Sequence, residues 1–319
     1  MMTIFDFEKP ITELENAIEE LRRLAIEKGI DRSREIAELE SQREQLLRQI
    51  FAHLKPWDKV LLARHPKRPY AMDYIRMMCE QFVELHGDRL GFDDPAIVAG
   101  LAKLGHYRLV VVGQQKGRDL KERQKRNFGM AKPEGYRKAM RMFQLAEKFR
   151  LPVLTLVDTP AADPGVESEA RGISEAIARS MLTLFELTVP TVAVILGEGG
   201  SGGAIALAAT NRVLMLEHAI YSVIPPEGCA AILWRDPNRA PQAAEALRLT
   251  AEDALQMGLI DLIIPEPLGA AHRDPQATAL SVRTAVLQQL DELCPMEPEA
   301  LREQRYQRFR QIGVYQIAR

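Results

Sequence analysis

An α/β core flanked by helices at both ends is the fold class the sequence predicts, and three observations carry that prediction. Residues 151–157 and 189–196 are short apolar runs, the pattern of strands buried on both faces. Residues 133–150 and 167–187 show helical spacing beside them, so strand and helix alternate through the middle of the chain. The first 54 residues, and those after about 275, carry helical character only, and no internal repeat overlays the pattern.

Taken in order, Ile11, Leu14, Ile18 and Leu21, then Ile36, Leu39, Leu46, Leu47 and Ile50, form one apolar stripe interrupted at 29–33. This is a helical hairpin. Acids and bases mix on its polar face, which argues against a membrane surface and for packing on the body or on a sister subunit. His65-Pro66-Lys67-Arg68-Pro69 predicts an extended connector, because a residue before proline avoids the helical region. Composition shifts near residue 80, dividing the chain into a helical extension with its connector, 1–80, and a core, 81–319. Within the core, 96–104 and 107–113 read as a strand pair turned at Gly105-His106, and Pro133 opens a helix where its missing N–H costs nothing. Further strands are expected at 213–216, 220–224 and 259–264, with Thr250 capping the helix between the last two.

The 319 residues are 46% apolar and 27% charged, which excludes disordered, collagen-like and disulfide-scaffold classes. A net charge of −2 is a poor match to non-specific nucleic-acid binding. Cys79, Cys229 and Cys294 form no C-x-x-C pair, so a zinc ribbon is not expected in this chain and a reducing cytoplasm is. The start of the chain carries charges where a signal peptide needs an apolar stretch, and the longest apolar runs fall short of the ~20 residues that span a bilayer. No two of the six histidines share metal-ligand spacing.

The densest chemical signal is 197–204, with five glycines in seven positions directly after the strand 189–196. Such a segment lets backbone approach a ligand closely, and a following helix would offer free N–H groups to negative charge. Close packing of a helix on a sheet is the competing explanation. The segment lacks the lysine of a phosphate-binding P-loop, and its match to G-x-G-x-x-G lacks the acidic ribose partner. It also satisfies G-x-S-x-G around Ser201, with Asp261 and His272 following in the order of a hydrolase triad. A second loop, 158–165, holds Asp158 and Asp163 among two prolines and a glycine at a strand's carboxyl end. A third stretch, 116–126, carries six bases against two acids, which suits either a solvated helix face or attraction of an anion.

These loops, together with Ala63-Arg64-His65-Pro66, Arg126-Asn127-Phe128-Gly129-Met130, the segment 133–139, Pro226-Glu227-Gly228-Cys229 and Ile264-Pro265-Glu266-Pro267-Leu268, resemble in order the carboxyltransferase α subunit of bacterial and plastid acetyl-coenzyme A carboxylase. The resemblance covers nearly the whole chain. It implies a crotonase-like spiral of ββα units with an N-terminal helical extension. It implies transfer of a carboxyl group from biotin, carried as carboxybiotin on a separate protein, to acetyl-CoA, giving malonyl-CoA for fatty-acid synthesis in the cytoplasm. The partners implied are a β subunit bearing the zinc ribbon, the biotin carboxyl carrier protein and biotin carboxylase, in an α2β2 assembly without metal in this chain. Carried over residue by residue, the oxyanion hole falls on the N–H groups of Gly202 and Gly203. Substrate contacts fall on Gly199, Gly200, Ser201, Gly113, Gln114, Lys116, Asp158, Thr159, Pro160 and Ala161. A side chain at 203 is expected to harm turnover more than folding. Departures from the family pattern are Ala161 for a glycine, Asp163 for an aromatic, Glu167-Ser168-Glu169-Ala170-Arg171 where the family has an acid pair before the arginine, Pro225 for a serine and Ala270 for a glycine. A serine hydrolase built on Ser201, or a non-catalytic scaffold whose loop 158–165 has drifted, are the alternatives.

Overall fold

The computed structural model describes residues 5–313. Its centre is one mixed sheet in the order β1-β2-β3-β4-β5-β6-β8, with β7 paired to the far end of β5. β1 (Gln81–Glu84), β2 (Ile97–Leu104) and β3 (Tyr107–Gln114) run antiparallel. The turn between β2 and β3 is the expected one, with Leu104 opposite Tyr107 and Gly105 at φ 59°. From β3 onward, β4 (Val153–Thr159), β5 (Thr191–Gly200), β6 (Arg212–Leu216), β7 (Ile220–Ser222) and β8 (Leu262–Ile264) are parallel to the strands they pair with. β4 and β5 are buried along their whole length, which is why they read as unbroken apolar runs rather than as alternation.

α1 (Lys9–Lys28) and α2 (Ser33–Phe51) form the hairpin, closed by Gly29 at φ 61°. Ile11, Ile18 and Leu47 from its stripe are buried. Its polar anchors are Arg273 to Glu15 at 2.6 Å and His272 Nε2 to Glu8 at 3.3 Å. α3 (Pro56–Ala63) and α4 (Ala71–Met78) follow, and Ala71, Tyr74, Ile75 and Met78 of α4 belong to the same hydrophobic core as the sheet.

The connector between α3 and α4 is not extended. The Arg68 N–H donates to His65 O at 2.9 Å, making a tight turn that buries Arg68 completely. Its guanidinium forks onto Glu266 at 2.9 and 2.5 Å while Nε donates to Leu196 O at 2.8 Å. Glu266 also accepts the N–H groups of His218 and Ala271, so the pair is fully hydrogen-bonded. Burial would push the Glu266 carboxyl up, but Arg68 outweighs it and holds it down at about 2.

α5 (Leu120–Lys125), α6 (Pro133–Phe149), α7 (Val166–Ala170) and α8 (Ile173–Glu186) cross between strands. The single helix expected over 167–187 is two helices, because Gly172 adopts φ 78° between them. After α9 (Ser201–Ala208) come α10 (Pro226–Trp234), α11 (Ala240–Leu247), α12 (Ala251–Gln256), α13 (Pro275–Leu293) and α14 (Pro298–Arg310). Thr250 caps α12 as expected, accepting the Asp253 N–H. Arg305 of α14 donates to the carbonyls of Leu184 and Leu187 at the end of α8, fixing the last helix on the core. Among the described residues no helix is long and apolar enough to cross a membrane.

Glu266→Gln leaves the Arg68 guanidinium buried without its counter-charge, so the chain should lose about 3–5 kcal/mol, read as a fall in the urea midpoint at constant slope. The pH dependence has a fixed sign. A carboxyl held down in the fold contributes stability above its unfolded pKa of about 4.3, and that contribution should vanish as pH falls from there toward 2. Glu266→Gln should abolish this part of the acid limb.

Candidate active site

The carboxyl ends of β3, β4 and β5 meet the end of α3, and here the fold gathers charged side chains, most of them largely buried. Lys116, just beyond β3, lies 2.7 Å from Asp158 of β4 and 2.9 Å from Glu198 of β5. Arg64, just after α3, reaches Glu198 at 2.7 Å and Glu227 of α10 at 2.5 Å. Asp158 also accepts the Glu198 N–H at 2.9 Å. Burial pushes the Asp158 carboxyl above its ordinary range, because it shares Lys116 with a competitor. Burial acts on Glu198 in the same sense, but the two cations beside it win and hold it below its ordinary range. Lys116 and Arg64 are correspondingly raised, the carboxylates outweighing their burial.

A cavity of about 160 Å³ opens onto this chain of charges, walled by Tyr70, Phe128 and Pro160 and by Arg64, Lys116, Arg123 and Glu198. A narrower cleft continues from it past Gly199 and Gly200 to Ser222 and Ile224. Asn127, Phe128 and Gly129 stand consecutively at φ 45°, 57° and 83°, which turns the half-exposed Phe128 ring into the cavity wall.

The glycine segment is not a free loop. β5 continues through Gly200, with Gly199 and Gly200 opposite Tyr221 and Ser222 of β7. Four of the five glycines are spent on close approach. A Cβ would lie 2.7 Å from Asp158 Oδ1 at Gly197, 2.9 Å from the Tyr221 ring at Gly199, 2.0 Å from Pro160 O at Gly200 and 2.8 Å from the Ala161 carbonyl carbon at Gly203. The expectation that a side chain at 203 would harm turnover more than folding is therefore not supported, because the Cβ meets backbone. Gly202 is open, its nearest neighbour being Ile177 at 3.4 Å. α9 starts immediately after the strand with no side chain capping it, so the N–H groups of its first turn, Gly202 and Gly203 included, have no cap to satisfy them. The packing explanation therefore holds at 197, 199, 200 and 203.

The remaining predicted residues divide. Lys116, Pro160, Gly199 and Gly200 line the cavity or its cleft. Gly113 does not; a Cβ there would lie 2.6 Å from Ala71 Cβ, so it is the contact of α4 on the sheet. Gln114 is buried, donating to Gly203 O at 2.7 Å and accepting the Asp158 N–H at 3.1 Å, which ties α9 to β4. Thr159 is buried with Oγ1 2.8 Å from Gly129 O and 2.6 Å from Ala161 O, its one proton serving one carbonyl at a time. Ala161 packs on Gly203 and is absent from the residues of positive φ, so its methyl is not strained. Ala270, by contrast, sits at φ 74°, a conformation that suits the glycine it replaces. Asp163, one departure from the family pattern, accepts the Ser168 hydroxyl at 2.5 Å. Burial is outweighed at Asp163 by the hydrogen bonds of Ser168, Asn127 and Gly165, which hold its carboxyl down.

The hydrolase triad does not assemble. Ser201 has the strained φ of 51° that an exposed nucleophile elbow would show. Asp261, however, binds the Val213 N–H and Arg308 at the level of Ala193, eight residues back along β5, or about 25 Å at ~3.3 Å per residue. His272 faces Glu8 and stacks on His65. The donor atoms of Glu8, His65 and His272 lie within 4.8 Å of one another, a grouping that sequence spacing did not reveal. His65 Nδ1 accepts the Lys67 N–H and His272 Nε2 faces Glu8, while His272 Nδ1 is buried without a hydrogen-bond partner. Sequence reasoning also missed Arg64, Glu198, Tyr70, Arg123 and Phe128. The available signal was Glu198 itself, a charge inside a glycine run that follows a buried strand.

Residues 4–313 match the family model described as acetyl co-enzyme A carboxylase carboxyltransferase-like. The chain belongs to that family. It is 53% identical over 313 residues to the acetyl-coenzyme A carboxylase carboxyl transferase subunit alpha of Zymomonas mobilis, covering 98% of this chain and all of that one. It is 51% identical to the subunit of the same name from Bordetella pertussis, covering 99% of each. Among solved structures it is similar to the transcarboxylase 12S core, with a TM-score of 0.59 at 19% identity over 72% of this chain and 42% of that one. It is similar also to a chain of a Pseudomonas malonate decarboxylase hetero-tetramer, with a TM-score of 0.57 at 18% identity over 69% of this chain and 87% of that one. The fold is crotonase-like, as the resemblance implied.

Lys116→Met leaves the buried Asp158 carboxylate without its cation, while Glu198 keeps Arg64, and should cost about 3–5 kcal/mol. Adding Asp158→Asn should recover a measurable part of that loss, because Arg64 and Glu198 remain balanced. A double-mutant cycle of urea midpoints reads the coupling.

Proposed function

We propose that this chain is the α half of a biotin-dependent carboxyltransferase, moving a carboxyl group from carboxybiotin on its carrier protein to acetyl-CoA to give malonyl-CoA. The observation that carries the reading is the uncapped first turn of α9, set at the end of β5 beside a cavity walled by flat side chains. Bound biotin supplies a carboxyl donor whose ureido oxygen gains negative charge as the carboxyl group departs. The N–H groups of Gly202 and Gly203 are the donors for that charge, and fixed donors in a water-poor site are a large source of rate. Gln114 holds the carbonyl of Gly203, and the Lys116, Asp158, Glu198 and Arg64 chain fixes the strand ends on which α9 stands. Tyr70, Phe128 and Pro160 give the cavity its apolar wall. No side-chain nucleophile is required, which makes Ser201 the hinge of the strand-to-helix turn.

In this reading the partners are a β subunit that carries the zinc ribbon and completes the site, the biotin carboxyl carrier protein and biotin carboxylase, with α2β2 as the assembly. The relatives' printed name, subunit alpha, supports a partnered enzyme. Exposed Val223, Ile232 and Leu233, on and beside the helix whose Glu227 pairs with Arg64, support an apolar contact close to the site. We further propose 81–319 as the carboxyltransferase core and 1–80 as its helical extension.

The test is malonyl-CoA-dependent carboxylation of biotin by this chain co-expressed with β; the chain alone should show almost none. Ser201→Ala should keep most of the turnover, whereas loss of turnover in a well-folded variant would restore the serine as nucleophile. Gly203→Val forces methyl groups into the Ala161–Ala162 backbone and should cost about 1–3 kcal/mol or more, with melting temperature and turnover falling together. Gly202→Ala adds a methyl only toward Ile177 and keeps its N–H, so it should melt and turn over close to the parent.

A further inference from the structure

We propose that Arg123 holds the carboxylate of the group being transferred, an assignment that rests on the carboxyltransferase reading above. The cavity has three cations in its wall, Arg64, Lys116 and Arg123. Two are committed: Lys116 to Asp158 and Glu198, and Arg64 to Glu198 and Glu227. Arg123 is different. Its Nε donates to Gly117 O at 3.1 Å, and among the described residues no carboxylate or carbonyl pairs with its two terminal nitrogens. The other bases of the stretch 116–126 do not compete for the role. Arg118 pairs with Asp73 and lies over the Tyr70 ring at 4.2 Å, and Arg126 binds Glu122 and Pro95 O. Lys121 and Lys125 are exposed and do not line this cavity.

Arg123 is also fixed in place. A Cβ on Gly117 would lie 2.2 Å from the Arg123 backbone nitrogen, so the start of α5 sits directly on Gly117, and Asp119 caps that helix by accepting the Glu122 N–H. Backbone and Nε are thus both anchored to one residue, leaving the guanidinium fork aimed at a planar, two-oxygen anion. The transferred group is such an anion, and the malonyl carboxylate is its acyl-CoA form.

The experiment is calorimetric titration of malonyl-CoA and acetyl-CoA into the complex of this chain with β, for the parent, Arg123→Gln and Arg123→Lys. The two ligands share every phosphate and differ in the carboxylate. Arg123→Gln should weaken malonyl-CoA by about 10- to 150-fold, as loss of a hydrogen bond to a charged group does, and leave acetyl-CoA unchanged. Arg123→Lys should show a smaller loss with the same selectivity, and it decides the matter if the glutamine variant fails to assemble. Equal weakening of both ligands would assign Arg123 to the coenzyme phosphates and overturn the proposal. So would unaltered malonyl-CoA binding, or a parent complex that binds malonyl-CoA no better than acetyl-CoA. Binding does not require turnover, so an inactive parent would refute the carboxyltransferase reading without deciding the role of Arg123.

Discussion

Three largely buried charges at the ends of three strands, with half-buried Arg64 beside them, cannot be left unpaired, and that requirement organises the rest of the site. An isolated buried carboxylate or ammonium costs several kcal/mol, so Asp158, Glu198, Lys116 and Arg64 are tolerable only as a balanced set with short contacts. Each belongs to a different segment: β4, β5, the turn after β3 and the residue after α3. Satisfying all four at once fixes the relative positions of those segments more tightly than apolar packing would. α9 begins three residues beyond Glu198 and inherits that precision. The Arg68–Glu266 pair does the same one layer deeper, tying Leu196 on β5 to the 266–271 loop.

The glycines of β5 answer to the same constraint. A strand whose flanking backbones come this close has no space for side chains at 197, 199, 200 or 203. Gly202 alone has room, and the first turn of the helix that contains it has no side-chain cap. Crowded Gly199 and Gly200 nonetheless line the cleft. A pattern of glycines forced by packing therefore says little about which of them touches a ligand.

Much of the fold was legible because it follows from local period. The hairpin stripe, the buried runs of β4 and β5, the Gly105-His106 turn and the Thr250 cap all depend on neighbours in sequence. What was not legible depends on partners far along the chain. Arg68 looked like a connector residue because nothing local announces Glu266, 198 residues away. Gly113 and Gln114 sat in a matching motif, yet one packs a helix and the other links two backbones. Arg123 was one base among six until the structure showed how its neighbours are engaged. Glu8, His65 and His272 were likewise invisible to spacing.

The meeting of Asp163 and Ser168 has a consequence for how the loop 158–165 can change over time. The hydroxyl of Ser168 is buried with its partner 2.5 Å away, so each residue is acceptable only in the presence of the other. Restoring an aromatic at 163 alone would strand a buried hydroxyl, and losing the hydroxyl at 168 alone would leave the Asp163 carboxylate short of a donor. Neither single change is neutral, and the two residues form one heritable unit. A chimera that grafts this loop into a relative must carry α7 with it, and a library that varies the two positions independently will contain mostly frustrated pairs.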